Sequence, residues 1–188
     1  MNLKEEKTLV IIKPDGAQRS LIGEIIKRIE RTGLKLVGLK MVVVAPGLIE
    51  KHYLLDPDWK SITGQKTIDS YKKKGKKPPS ENPIKIAEMV LKNLKYYMTS
   101  GPLVVMAWQG AHSVGIVRKI IGGTEPLSSD VGTIRGDFTI DSYEIADIDG
   151  RSVRNLIHAS GNASDAAKEI NLWFKKQELI NYRLIMES

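Results

Sequence analysis

At 188 residues, 41% of them hydrophobic and 27% charged, the chain is long enough for one well-buried domain and too apolar to be disordered. The net charge of +7 suits an anionic partner (a nucleotide, a nucleic acid or an acidic surface), and the absence of cysteine excludes disulfides and thiolate metal sites. No apolar run approaches the ~20 residues of a membrane span, and the start MNLKEEKTLV lacks the apolar core of a secretory signal, so no membrane association and a cytoplasmic address are expected.

Residues 8–12 (TLVII) form a continuous apolar, β-branched run, the pattern of a strand buried on both faces. Pro14 disfavours helix at Lys13 and cannot donate to a ladder, so the strand breaks there and leaves Lys13 at its end. Ile22, Ile25, Ile26 and Ile29 recur at helical spacing, with Arg19, Lys27, Arg28 and Arg31 on the wet side and Gly33 as a stop. Residues 34–44 (LKLVGLKMVVV) read as a second strand, closed by Pro46 and Gly47, and a short helix over 48–55 carries His52 and Tyr53.

Residues 56–82 are polar, lysine-rich and punctuated by Gly64, Gly75, Pro78 and Pro79; they read as an excursion from the fold, with a helical turn near 67–74. From Pro83 onward Ile84, Ile86, Ala87, Val90, Leu91, Leu94 and Tyr97 line one helical face, which ends at Gly101-Pro102. A third strand covers 103–108 (LVVMAW), and a helix over 111–121 stops at Gly122-Gly123. Residues 124–137 (TEPLSSDVGTIRGD) read as a long irregular loop, and loops of this length inside compact domains are usually functional or oligomeric.

The stretch 151–174 draws the most attention. Residues 153–157 are an apolar run that delivers His158 at its end; Ala159, Ser160, Gly161 and Asn162 follow, then a helix with Ala166, Ile170 and Trp173 on one face. A histidine held at the mouth of a sheet can be a nucleophile, a base, a metal ligand or a packed side chain. The order of elements predicts an α+β fold: a ferredoxin-like α/β sandwich whose four-stranded antiparallel sheet carries its helices on one face. That fold hosts many unrelated functions.

The fragments KTLVIIKPDGAQRSLIGEIIKRIERTGLKLVGLKM, KHY, YYMTSGPLVVMAWQG, VRKIIGGTEP, GTIRGDF and RNLIHAS…KEINLWF occur in this order, and together they resemble the nucleoside diphosphate kinase family. The likeness is to a longer-chain branch with an insertion at about 56–82, within a single domain over 1–188. It implies transfer of the γ-phosphoryl group of a nucleoside triphosphate to a nucleoside diphosphate. The scheme is ping-pong through a phosphohistidine, and it maintains NTP and dNTP pools.

The resemblance places the nucleophile at His158, oriented by Glu169 with help from Ser160. It nominates Lys13, Arg118 and Arg135 for the phosphates, Thr124 and Tyr53 as hydroxyl donors, and Asn155 for the ribose or a phosphate-linked oxygen. An imidazole suits the role because its neutral form is a nucleophile near neutral pH, and arginine because its planar fork matches phosphate oxygens. Trp59 or Leu94 stands where the family stacks the base on a phenylalanine.

Mg2+ is expected to ride on the nucleotide phosphates, since no carboxylate cluster has the look of a dedicated protein site, and His158 is not expected to bind a metal because His52 and His112 share no ligand spacing with it. The implied partners are nucleoside tri- and diphosphates, with ATP as the expected donor, and further copies of the chain. A hexamer is the family's usual assembly; the short stretch after Asn181-Tyr182 leaves a dimer or tetramer open. One motif departs from the family: the chain reads HASG where HGSD is common, so Gly161 replaces an aspartate. The alternative is a nucleic-acid-binding or scaffold ferredoxin-like protein without kinase activity. Its supporting feature, aromatics spread over strand faces, is thin in a chain with 6% aromatic residues, and no specific nucleic acid is expected.

Overall fold

The computed structural model describes residues 3–184. Four strands, β1 (Lys7–Ile12), β2 (Lys35–Val42), β3 (Leu103–Gln109) and β4 (Ile157–Ala159), form one sheet in the order β2-β3-β1-β4, with every neighbouring pair antiparallel. The helices are α1 (Pro14–Gln18), α2 (Ile22–Glu30), α3 (Pro46–Tyr53), α4 (Trp59–Lys73), α5 (Pro83–Met98), α6 (Ser113–Ile121), α7 (Ile134–Phe138), α8 (Tyr143–Ile148) and α9 (Ala163–Trp173). The α+β, ferredoxin-like architecture expected from the sequence is present. Among the described residues no helix is long and apolar enough to cross a membrane.

Side chains along β1 alternate between two apolar layers. Val10 and Ile12 join Val104, Met106 and Trp108 of β3 and pack against Ile25 and Ile29 of α2 and Val117 and Ile121 of α6. Leu9 and Ile11 point the other way, with Val105 and Ala107, onto Ile49 of α3, Met98 of α5 and Ile170 and Trp173 of α9. Helices therefore cover both faces of the sheet, not one as the element order suggested. This is why β1 and β3 read as unbroken apolar runs, since a strand buried on both sides has no wet position to alternate with.

Three further readings are corrected. The excursion at 56–82 contains α4, a 15-residue helix laid along α5. Its polar composition hid it, because the buried stripe is only Gly64 and Ile68, one turn apart. Gly64 sits so close to α5 that a Cβ there would collide with the Pro83 carbonyl. The lysines of the last turn of α4 and just beyond it are partly paired, Lys72 with Glu81 at 3.0 Å and Lys76 with Glu144 at 2.8 Å.

The loop over 124–137 is more ordered than expected. It holds a 3-10 turn at Pro126–Ser128 and enters α7, whose N-cap Thr133 accepts from the Gly136 N–H. Finally, 153–157 is not the strand that ends in His158. Strand β4 begins only at Ile157, so His158 lies at its centre, paired with Ile11.

Candidate active site

The approach to β4 is a tight turn. Leu156 has φ +65° and the Ile157 N–H reaches back to the Asn155 carbonyl at 2.7 Å, a γ-turn in a backbone region that costs a branched residue ~1–3 kcal/mol. Its surroundings hold it. Arg135 donates Nε to the Asn155 carbonyl at 3.1 Å and Nη2 to the Ile157 carbonyl at 2.6 Å. The Leu156 N–H goes to Asp15 Oδ2 at 3.2 Å, its carbonyl accepts the Lys13 N–H at 2.8 Å, and the Asn155 N–H meets the Tyr97 hydroxyl at 3.2 Å. The turn thus aims the next residues, with His158 projecting from a strand only three residues long.

His158 Nε2 lies 3.0 Å from Glu169 Oε1, and Glu169 Oε2 accepts the Ser160 hydroxyl at 2.6 Å. Ser160 Oγ in turn accepts the Leu9 N–H of β1 at 3.0 Å, which ties the glutamate to the sheet. Burial opposes ionisation of Glu169, but the hydrogen bond and charge of His158, the neighbouring His52 and the Ser160 hydroxyl outweigh it, and its pKa is lowered overall. A carboxylate on Nε2 leaves Nδ1 as the ring nitrogen with a free lone pair.

Lys13 stands at the end of β1, buried, with Nζ donating to Asn155 Oδ1 at 2.7 Å and 5.0 Å above the Tyr97 ring. Burial first, then the Arg135 charge, bring its ammonium down from 10.5 to about 7, with Asp15 pulling weakly the other way. Asn155 Nδ2 donates to the Thr124 carbonyl at 2.8 Å, so both ends of that amide are engaged. Arg135 also donates Nη1 to the Gly122 and Gly123 carbonyls at 3.1 and 2.8 Å. Burial is the main reason its pKa falls to about 10. Arg118, at the end of α6, is exposed and has no carboxylate paired to it among the described residues.

These groups open onto one cleft of ≈ 700 Å³. Lys13, Arg118, Arg135, Thr124 and Asn155 line it beside His158, Glu169 and Tyr53, while Trp59 and Leu94 form part of its apolar wall. Ser160 lies behind, fully buried. Every residue singled out from the sequence is therefore in or directly behind the same cleft. Tyr53 stays a hydroxyl donor, because burial and then the Glu169 charge push its phenol well above the ordinary range, and Arg135 only partly opposes them. Its ring leans on Trp59, with centroids 5.5 Å apart.

The sequence reading missed three residues. Asp15 and Tyr97 hold the γ-turn; the first lies two residues after Lys13 in KPDG, and nothing in its spacing marks it. His52 was set aside as unrelated to His158, yet His52, His158 and Glu169 offer ligand atoms all within 4.8 Å of one another. Glu169 and Trp173 share a face of α9 one turn apart, and that i, i+4 pair was the one legible hint of what else packs there. Two imidazoles and a carboxylate suit a borderline transition metal, whereas Mg2+ takes oxygen ligands, so the cluster does not fit Mg2+.

Comparisons with known proteins agree on one relationship. The model of the family "Nucleoside diphosphate kinase" matches residues 6–78 and 80–179. A nucleoside diphosphate kinase of Pyrobaculum aerophilum is 45% identical over 179 residues, 93% of this chain and 98% of that one. The crystal structure of an NDP kinase from the same organism superposes with a TM-score of 0.90 at 44% identity, covering 94% of this chain and 100% of the other. A Borrelia burgdorferi nucleoside-diphosphate kinase, solved as a transition-state mimic with vanadate and ADP, gives a TM-score of 0.80 at 36% identity, covering 99% and 96%. The chain belongs to the nucleoside diphosphate kinase family.

Proposed function

We propose that this chain moves the γ-phosphoryl group of a nucleoside triphosphate to a nucleoside diphosphate through a phosphohistidine at His158. The observation that carries the reading is the His158–Glu169 contact of 3.0 Å at the wall of a cleft lined by Lys13, Arg118 and Arg135. With Nε2 engaged, the Nδ1 lone pair attacks the γ-phosphorus. An N–P bond forms as the β–γ bridging P–O bond breaks, and the diphosphate leaves with the bonding electrons. A terminal phosphate oxygen of the acceptor diphosphate then attacks the same phosphorus and regenerates the imidazole.

In phosphoryl transfer the protein contributes mostly position and charge. Lys13, steered by Asn155 Oδ1, and Arg118 at the rim bring cations to the phosphate oxygens. Arg135 adds its charge while four of its five N–H donors stay on backbone carbonyls, so its first task is to frame the turn before His158. The Tyr53 hydroxyl supplies a neutral donor. Trp59 and Leu94 offer the base an apolar wall that reads no particular edge, which suits broad nucleotide acceptance, with ATP as donor. Family members in general use a divalent metal. Here we expect Mg2+ on the substrate phosphates, where it neutralises charge, and a cytoplasmic setting fits a reaction fed by ATP.

Brief incubation with γ-labelled ATP and no acceptor tests the reading. The label should attach to protein, survive alkali, be lost in mild acid, be discharged by GDP and vanish in His158→Asn. A folded protein that takes up no label would sink it. The nucleic-acid alternative is not favoured: helices pack on both sheet faces and Trp108 of β3 is fully buried, so the exposed face positions Leu39 and Met41 of β2 offer bases no aromatic to stack on.

We further propose that the chain assembles as a homo-oligomer. β2 is an edge strand, and Leu39 and Met41 on it and Val43 just beyond are 51%, 59% and 78% exposed. The C-terminal segment touches this edge at Val37, whose carbonyl accepts the Ile180 N–H at 2.7 Å, and beyond it the edge has no strand partner among the described residues and is a template for strand pairing. The family's hexamer is the expected size. Light scattering on the purified protein would show a dimer or larger, and a monomer at all concentrations would overturn the proposal.

A further inference from the structure

His52 sits at the centre of a cluster in which the phosphoryl-transfer scheme gives it no task. It is 4% exposed. Its ring meets the His158 ring edge to face, with centroids 4.6 Å apart and planes at 83°. Its Nε2 lies 3.9 Å from Glu169 Oε1, the same oxygen that holds His158. Its Nδ1 accepts the Trp173 indole N–H at 3.1 Å.

The last contact decides where the proton is. An indole nitrogen can only donate, so His52 Nδ1 must present its lone pair. In a neutral ring the proton then sits on Nε2, facing the glutamate. The ring is neutral because burial, reinforced by His158, drives its pKa down to about 3 despite Glu169 nearby. The tautomer of His52 is thus set by a residue on α9, the helix that also carries Glu169.

We propose that Trp173 and His52 are a positioning pair for the phosphorylated histidine: the indole locks His52 as its Nε2–H tautomer, which turns the positive end of that N–H toward Glu169 and packs the ring against His158, keeping both placed for attack. The inference rests on His158 being the nucleophile. The same lock keeps the three-group cluster from acting as a chelate. Ligation through His52 Nε2 would move the proton to Nδ1, straight against the indole N–H, and ligation through Nδ1 would have to displace Trp173. A metal would therefore have to break a buried hydrogen bond that the phosphoryl-transfer site keeps.

Two kinds of measurement test the pair. Long-range 1H–15N correlation on protein labelled at its three histidines, assigned by the signal lost in His52→Gln, reads the tautomer in the resting state. His52 should carry its proton on Nε2 at pH 7; an Nδ1–H ring or an imidazolium overturns the proposal. Stopped-flow phosphorylation then separates geometry from bulk. In His52→Gln the side-chain oxygen can accept from Trp173 while the amide N–H faces Glu169, so the rate should stay within about threefold of the wild type. His52→Phe fills the space without any ring nitrogen and should slow phosphorylation roughly tenfold with nucleotide KM unchanged.

Equal rates in the two folded variants would show that His52 only packs. If either fails to fold, Trp173→Phe takes its place: the His52 signals should then shift to a mixture of tautomers, and a ring that stays wholly Nε2–H overturns the lock. A wild type that takes no phosphate would count against the nucleophile, whereas a wrong tautomer counts against the pair, so the two failures are separable.

Discussion

Glu169 Oε1 and His158 Nε2 are 3.0 Å apart, joined across the gap between α9 and β4, and in the proposed reaction this contact chooses which imidazole nitrogen attacks. A carboxylate can only accept, so it holds the proton on Nε2 and frees Nδ1. Glu169→Gln would keep the shape but offer an N–H, which favours the opposite tautomer. Phosphoenzyme formation should fall by roughly 10²–10⁴-fold, the range seen when a comparable acceptor is lost from a catalytic histidine. The sign of the pH effect follows from the lowered pKa of Glu169. Its contribution to stability is full above the ordinary glutamate range and is lost as pH falls through its folded value. Denaturant unfolding should show wild type losing its advantage over Glu169→Gln in that acid window, and kinetics indistinguishable from wild type would contradict the assignment.

Lys13 should make nucleotide binding take up a proton. With its ammonium brought down to about 7 by burial and Arg135, much of it is neutral at pH 8, and an arriving polyphosphate favours the charged form. Calorimetry at pH 8 in two buffers of different ionisation enthalpy should reveal the uptake, and Lys13→Met should abolish it. The folded pKa lies below the unfolded one, so the unfolded chain binds more protons between about 7 and 10.5. Stability should therefore rise with pH across that window, by at most ~1.4 kcal/mol per unit, and the rise should be missing in Lys13→Met. A flat wild-type profile would show that Lys13 stays charged.

Arg118 and Arg135 line the same cleft but are held differently, and their variants should separate. Arg118 is exposed and has no carboxylate partner among the described residues, so Arg118→Ala should leave stability within about 0.5 kcal/mol and raise nucleotide KM. Arg135 gives donors to the carbonyls of Gly122, Gly123, Asn155 and Ile157. A lysine cannot reproduce that fork and leaves buried carbonyls without a donor, so Arg135→Lys should cost about 1–3 kcal/mol and slow phosphorylation by releasing the turn before His158. Urea midpoints measured beside steady-state kinetics would check both, and a stable Arg135→Lys would remove its framing role.

The residues nominated from the sequence converge on one cleft, whereas several elements around them were not legible. Lys13, Tyr53, Arg118, Arg135, Asn155, His158 and Glu169 belong to ordered fragments, and each fragment ends up at one cleft. The sheet was legible because β1 and β3 are continuous apolar runs. Helix α4 was not, because a helix that buries only Gly64 and Ile68 has almost no apolar period to read. The start of β4 was obscured for another reason: Asn155-Leu156-Ile157 looks like strand, and only contacts from Asp15, Lys13, Tyr97 and Arg135 force Leu156 to positive φ. His52 was invisible because its partners, Trp173 and Glu169, are more than a hundred residues away and meet it only through the fold.

Helix α4 places Trp59, Thr63 and Lys66 on the cleft wall, and its seat against α5 depends on one missing side chain. At Gly64 a Cβ would run into the Pro83 carbonyl, which is backbone and cannot swing aside. Gly64→Ala should push the two helices apart, destabilise the protein by about 1–3 kcal/mol and raise nucleotide KM several-fold. The phosphorylation rate at saturating nucleotide should be unchanged, since β4 and α9 are untouched. Gly115 in α6 is the control, because nothing lies within 4 Å of a Cβ there. Gly115→Ala should be neutral or stabilising by up to ~1 kcal/mol, as helix propensity alone would give. If Gly64→Ala matched Gly115→Ala in stability and KM, the close approach of α4 to α5 would not be what shapes the cleft.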